Sequence, residues 1–218
     1  MKRRVPEILE PEELVALLSQ PNVATPTGLR NRAMLQLMAD GGLRVSEVLG
    51  LRTSDLRTDH VCHRKTTVLH LKATKGGHHR VVALPADADN YLRLWLEERR
   101  RLGIPNGLVF TTLSTGQVRG PFAREGKLLS PGGRLNDRYI RQMCQRLGKK
   151  AGIDRRVHPH MLRHTFATRL LDHTRNIRQV QEALGHADLS TTMVYTKVKP
   201  RELTEAMVTL PRLRGHQG

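Results

Sequence analysis

From Thr67 to Pro85 the chain reads TVLHLKATKGGHHRVVALP, and this stretch separates it from an all-helical protein. Thr67–Leu71 and Arg80–Leu84 are short apolar runs, partly β-branched, on either side of Lys75-Gly76-Gly77. Such runs flanking a Gly-Gly pair predict two antiparallel strands joined by a hairpin turn. Pro85 has no N–H to give a ladder and ends the second strand. Lys75 then sits at the tip, where it can probe a groove and donate a proton. A solvated turn lysine is the commoner use of such a position.

Working outward, the flanks read as helix. Ala86–Leu102 places Leu92, Trp95 and Leu96 inside and a run of arginines outside. On the N-terminal side, Glu12–Leu18 carries Leu14, Leu17 and Leu18 on one stripe. After a loop at Gln20–Pro26, a helix over about Leu29–Ala39 turns Met34, Leu37 and Met38 inward. Gly41 and Gly42 stop it, and a short helix follows at Val45–Leu51. Thr111–Gly133 is rich in Gly, Ser, Thr and Pro and reads as a long loop or excursion. Helix returns at about Asn136–Ala151, with Ile140, Met143 and Leu147 on one face. It continues at Pro159–Leu171 and Ile177–Leu184, before a short segment into Tyr195. No internal repeat is visible. The expected fold class is mainly α with a small antiparallel β-sheet (α+β).

Bulk composition narrows the partner. The 218 residues hold 37 Lys plus Arg against 20 Asp plus Glu, a formal charge of +17. A surplus that large repels itself and is offset by a polyanion, whose phosphates release counterions on binding. DNA or RNA is the first candidate. A ribosomal or chromatin-packing protein is the plainer alternative, and a membrane-surface protein a weaker one. Aromatic residues are only 3 %, so base stacking is not expected to dominate. The basic N-terminus MKRRVPEILEPEELV has no apolar run after it and is not a signal peptide. No stretch is long and apolar enough to span a bilayer, so no membrane partner is expected. Cys62 and Cys144 form no paired motif, which points to a reduced, intracellular protein.

Three further segments carry chemistry. In HPHMLRHTFAT (158–168), Pro159 starts a helix and His160 falls in its first turn, with Arg163 three residues on. A histidine and an arginine beside a helix N-terminus suit a phosphate, which the guanidinium can grip with a two-pronged fork. A surface His and Arg on a basic protein is an equally good reading of these residues alone. In GGLRVSE (41–47), Arg44 follows a glycine turn and Glu47 can brace its guanidinium. Alone, an ordinary surface salt bridge would explain that pair. In LGHADLSTTMVY (184–195), His186 follows a helix-ending Leu-Gly pair and Tyr195 lies nine residues later. A half-buried structural tyrosine is the plain alternative there. His160 and His164 have the i, i+4 spacing of a zinc pair, but Met161 stands where the general-base glutamate would be. No Asp/Glu cluster for a two-metal nuclease is apparent. No metal or other cofactor is expected.

Taken together, GGLRVSEVLGL, ATKGGHHRVVALP, HPHMLRHTFATRLL and VQEALGHADLSTTMVYTKV resemble, in the same order, the active-site boxes of the tyrosine recombinase (phage integrase) family. The resemblance runs from about Leu14 to Val198. It implies a DNA strand-transfer enzyme: an integrase, resolvase or invertase. Tyr195 would attack a DNA phosphodiester to leave a 3′-phosphotyrosine and a free 5′-hydroxyl, and His160 would help remove the phenol proton. Arg44 and Arg163 would hold the non-bridging oxygens, with His186 donating a further hydrogen bond. Lys75 would protonate the leaving 5′-oxygen. Exchanging one phosphate ester for another conserves bond energy, so neither ATP nor a metal is required.

The implied partners are double-stranded DNA and further copies of the chain. The expected assembly is a tetramer on DNA in which a tail helix over Arg201–Leu210 docks on a neighbour; self-packing is the alternative. The implied setting is bacterial, archaeal or phage, in the cytoplasm and at the nucleoid. The catalytic domain spans 1–218, with its core at about 11–198 and a tail helix and disordered end at 199–218. The family's helical N-terminal DNA-binding domain is not expected here, as in a shortened form or a naturally short member like the small fimbrial DNA invertases. A type IB topoisomerase-like relaxing enzyme or a DNA-binding regulator of the same fold are the competing readings. The presence of all six catalytic residue types argues against the regulator.

Overall fold

The structure is a computed structural model that describes residues 7–61, 63–71, 79–105, 107–113, 116–117, 128–129, 132–185 and 200–211. Lys75, His186 and Tyr195 lie outside the described residues.

Helices make up most of the described chain. α1 (Pro11–Ser19), α2 (Pro26–Asp40) and α3 (Val45–Gly50) lead into a three-stranded sheet of β1 (Leu56–Val61), β2 (Arg64–Leu71) and β3 (Arg80–Ala83). α4 (Ala86–Arg101) follows, then a two-stranded pair of β4 (Gly116–Gln117) and β5 (Leu128–Leu129). α5 (Asp137–Lys150), α6 (Pro159–Thr174), α7 (Ile177–Leu184) and α8 (Pro200–Val208) complete the fold. The expected fold class is therefore the observed one. No helix among the described residues is long and apolar enough to cross a membrane.

Helix starts are set by local chemistry. The Thr25 hydroxyl accepts from the Gly28 N–H at 3.1 Å, and Pro26 occupies the first turn, where its missing N–H costs nothing. α2 consequently begins at Pro26, before the expected Leu29. Asn136 caps α5 by accepting from the Tyr139 N–H at 2.8 Å. The anticipated inward residues Leu14, Leu17, Met34, Leu37, Met38, Leu92, Trp95 and Ile140 are all fully enclosed. Leu96 is partly buried and packs against them. Arg99 corrects the arginine run on α4: it is 4 % exposed, and its Nη2 donates to the Pro105 carbonyl. Its helical phase, four residues after Trp95, turns it inward, where a backbone acceptor meets its Nη2.

The sheet also differs from expectation. β2 is central, β1 and β3 flank it, and both pairings are antiparallel. β1 was not anticipated, because LRTDHV is an edge strand with four consecutive exposed residues and no alternation of apolar with polar. Leu71 pairs with Arg80, so eight residues connect β2 to β3, and the Gly76-Gly77 pair expected in that hairpin turn lies outside the described residues. The Thr111–Gly133 stretch is closed at its stem. Thr112 N–H donates to the Gly133 carbonyl at 2.8 Å, and Gly132 N–H to the Thr112 carbonyl at 3.0 Å. β4 and β5 form a short antiparallel pair within it.

The turn from α2 into α3 is where the backbone must be glycine. Gly42 has φ +62°, and a Cβ there would lie 2.3 Å from the Phe166 ring. Gly42→Ala is expected to cost about 2–4 kcal/mol, from left-handed strain plus overpacking. Urea unfolding of the two proteins checks it; a loss under about 1 kcal/mol would mean that Phe166 yields.

Candidate functional site

The α2–α3 turn, β3, α6 and the end of α7 converge on one carboxylate. Glu47, at the third position of α3, has a side chain only 5 % exposed. Its Oε2 accepts from the Arg44 N–H at 2.7 Å, and its Oε1 from Arg44 Nη1 at 3.2 Å. The brace anticipated between Glu47 and Arg44 is thus present. A stronger contact comes from β3. Arg80 grips the same carboxylate with both prongs, Nη2 to Oε2 at 2.9 Å and Nη1 to Oε1. Arg163 Nη1 approaches Oε2 at 4.0 Å from α6.

Backbone carbonyls complete the cluster. Arg163 donates to the carbonyls of Gly42 and Leu184. Arg44 Nη2 donates to the carbonyl of Gly185 at 3.3 Å. Gly185 ends α7 with φ +60°, and a Cβ there would press on the Arg80 side chain at 3.0 Å. Two arginines that are 119 positions apart in the chain are therefore held at the C-terminal end of one helix, Arg44 also by the Glu47 carboxylate and Arg163 also by the Gly42 carbonyl.

Burial raises the Glu47 pKa, but the Arg80 ion pair and the Arg44 N–H outweigh it, and the net shift is downward. Burial, with Arg44 and Arg80 nearby, lowers Arg163 to about 9, partly offset by Glu47. The guanidinium still carries its charge at neutral pH.

Arg44 and Arg163 both line an open cleft of about 950 Å³. His160 lies in the first turn of α6, exposed on the same cleft. His158 caps that helix, its Nδ1 accepting from the Met161 N–H at 3.2 Å. Burial and the nearby His160 push the His158 pKa down, consistent with an unprotonated Nδ1. Arg134, Arg141 and Arg156 extend the cationic lining. Asp137, also on the cleft, is tied to Arg141 at 2.6 Å. The chemistry of such a lining suits a phosphate anion, with donors already held by neighbouring groups. Among the described residues, no group of three or more His, Cys, Asp or Glu is placed to hold a metal. Cys144 is buried, and burial pushes its thiol up to about 12.

Of the residues expected in the site, the structure brings Arg44, Glu47, His160 and Arg163 to this one place. Lys75, His186 and Tyr195 lie outside the described residues. Arg80 itself was missed. A signal existed: period-two alternation puts it on the same face of β3 as the buried Val82.

Comparisons with known proteins follow the same line. The phage integrase family model matches residues 7–202. A tyrosine recombinase XerD of Ralstonia nicotianae is 36 % identical over 204 residues, covering 92 % of this chain and 58 % of its own length. A tyrosine recombinase XerC of Bacillus pumilus is 37 % identical over 207 residues, covering 95 % of this chain and 62 % of its own. The chain thus spans about three fifths of the length of these relatives. Among solved structures, XerA recombinase superposes with a TM-score of 0.67 at 25 % identity, over 94 % of this chain and 60 % of that one. XerH site-specific recombinase bound to difH substrate, a pre-cleavage complex, gives 0.66 at 29 % identity, over 85 % and 48 %. A buried Glu47 organising arginines from three separate segments, in a chain that the family model matches almost end to end, leaves one assignment: the chain belongs to the phage integrase family.

Proposed function

We propose that this chain is the catalytic domain of a site-specific DNA recombinase that cuts and rejoins strands of double-stranded DNA through a 3′-phosphotyrosine. The observation that carries the reading is that Arg44 and Arg163 open on one cleft, Arg44 bonded to the buried Glu47 carboxylate and Arg163 held near it, at 4.0 Å, by the carbonyls of Gly42 and Leu184. The similarity to tyrosine recombinases, and to a site-specific recombinase bound to its difH substrate, supports it. Here Tyr195 Oη attacks the phosphorus and the bond to the 5′-oxygen breaks. His160 takes the phenol proton, which a group with pKa about 10 does not release unaided at neutral pH. Lys75 gives a proton to the departing 5′-oxygen, and His186 adds a hydrogen bond to the phosphate. Arg44 and Arg163 meet the charge that builds on the non-bridging oxygens. Rejoining reverses the steps with a new 5′-hydroxyl, so the phosphoester is conserved and neither ATP nor a metal is consumed.

The enzyme acts in the cytoplasm at the nucleoid, as a tetramer on DNA. In the single chain Leu203, Met207 and Leu210 of the C-terminal segment are buried against their own domain, so docking of Arg201–Leu210 on a neighbour requires release of α8.

The test is a duplex nicked near the cleavage point, which loses its short leaving strand and traps the covalent adduct. The wild-type chain accumulates adduct. Arg163→Lys slows it by about 100- to 1000-fold, since one ammonium cannot hold two carbonyls and face an anion as a planar fork does. No adduct with the wild type, on duplexes carrying its own recombination site, would overturn the reading.

A further inference from the structure

We infer that Arg80 is a positioning residue that occupies Glu47, so that Arg44 and Arg163 stay available to an anion in the cleft. The inference rests on the reading of the cleft as a strand-cleaving phosphate site. Three guanidinium groups surround one carboxylate, leaving two positive charges uncompensated. The carboxylate is not shared equally. Arg80 takes both oxygens in a fork, and its side chain is only 8 % exposed. Arg44 makes one side-chain contact, at 3.2 Å, and remains 33 % exposed. Arg163 stands off at 4.0 Å, beyond hydrogen-bonding distance, with its N–H groups on neutral carbonyls. Carbonyls orient a guanidinium without cancelling its charge.

The division of labour follows from charge. A phosphodiester brings one negative charge, and a second builds on its oxygens as the fifth ligand approaches phosphorus. Two uncompensated cations match that final state. Without Arg80, the cations left around the buried Glu47 among the described residues are Arg163 and Arg44. The carboxylate would draw their guanidinium groups from the cleft, and one net positive charge would remain. Glu47 alone could therefore organise the site or quench it, and the arginine on β3 decides which. The same side chain lies against Gly185, with Cδ and Nη1 each 3.0 Å from where a Cβ would be. Arg80 thus also sets the approach of β3 to the end of α7.

The experiment compares wild type, Arg80→Met, Glu47→Gln and the double variant on the nicked duplex. A displacement of catalytic groups by about 1 Å costs about 100-fold in rate, and that loss is expected for Arg80→Met. Duplex affinity should stay nearly unchanged, because other phosphate contacts supply it. Removing the unbalanced carboxylate as well should restore the rate to within about tenfold of wild type, a strong non-additivity between contacting residues. Arg80→Lys, which keeps the charge, should fall between. A double variant no faster than Arg80→Met would overturn the proposal and leave Arg80 a packing residue.

Thermal stabilisation by inorganic phosphate gives a second readout, independent of cleavage. Arg80→Met should lose it and the double variant regain it; the reverse order overturns the proposal. If the wild type forms no adduct, the cleavage reading fails, and the phosphate series still decides the role of Arg80. Should Arg80→Met not fold, a folded double variant with phosphate stabilisation supports the assignment, and an unfolded one sinks it.

Discussion

Tyr195→Phe is expected to abolish covalent attachment to DNA while leaving DNA binding intact. The substitution removes one oxygen and keeps the ring, so packing changes little, but no other group in the proposed site replaces a phenolate nucleophile. A variant that binds the duplex with the wild-type Kd and yields no adduct, even after a reaction time about 1000-fold longer, is the expected result. Binding is retained because the affinity comes from the basic surface and the arginine cleft, with 37 Lys plus Arg in the chain. Peptide mapping of the wild-type adduct should locate the nucleotide on Tyr195. An adduct that persists in the phenylalanine variant would place the nucleophile elsewhere, and the roles of His160 and Lys75 would need reassignment.

Glu47→Ala should be the most damaging substitution for stability, at about 3–5 kcal/mol. The carboxylate is buried and accepts from the Arg44 backbone, from Arg44 Nη1 and from both prongs of Arg80. Alanine removes every one of those acceptors and leaves three guanidinium groups facing one another. The pH dependence separates this cause from simple loss of volume. Because the folded-state pKa of Glu47 is lowered from 4.5, its contribution is fully present above that value and is lost as pH falls through the folded-state pKa. The gap between wild type and variant, measured by urea unfolding, should be widest near pH 7 and narrow below about pH 4. A gap that does not change with pH would assign the loss to packing alone. Comparing this result with Glu47→Gln/Arg80→Met is informative too. Removing both partners of a buried pair costs much less than stranding one.

Much of this was legible beforehand. Apolar residues at helical spacing marked α1, α2, α4 and α5, and Leu14, Met34, Leu92 and Ile140 went where that spacing put them. Breakers and starters such as Gly41, Gly42 and Pro159 act through their own backbone or their nearest neighbours. Residue order alone reveals them. The Arg44–Glu47 brace was legible for the same reason, being three residues apart on one helix turn.

What escaped leaves no periodic signal. β1 is a solvent-facing edge whose partner lies across a turn, so neither alternation nor apolar content announces it. Arg99 reads as part of a surface arginine run until a carbonyl from the following loop arrives to meet its Nη2.

Sequence by itself thus determined the helices, the presence of a small sheet, the cationic character and the residue types of the site, because each is written within one turn or one strand. Only the tertiary structure decided how charge is shared around Glu47. That carboxylate meets Arg80 and Arg163 across 33 and 116 positions of chain, and which guanidinium takes both its oxygens depends on how β3 and α6 pack against α3. No local periodicity records that choice; it belongs to the packing.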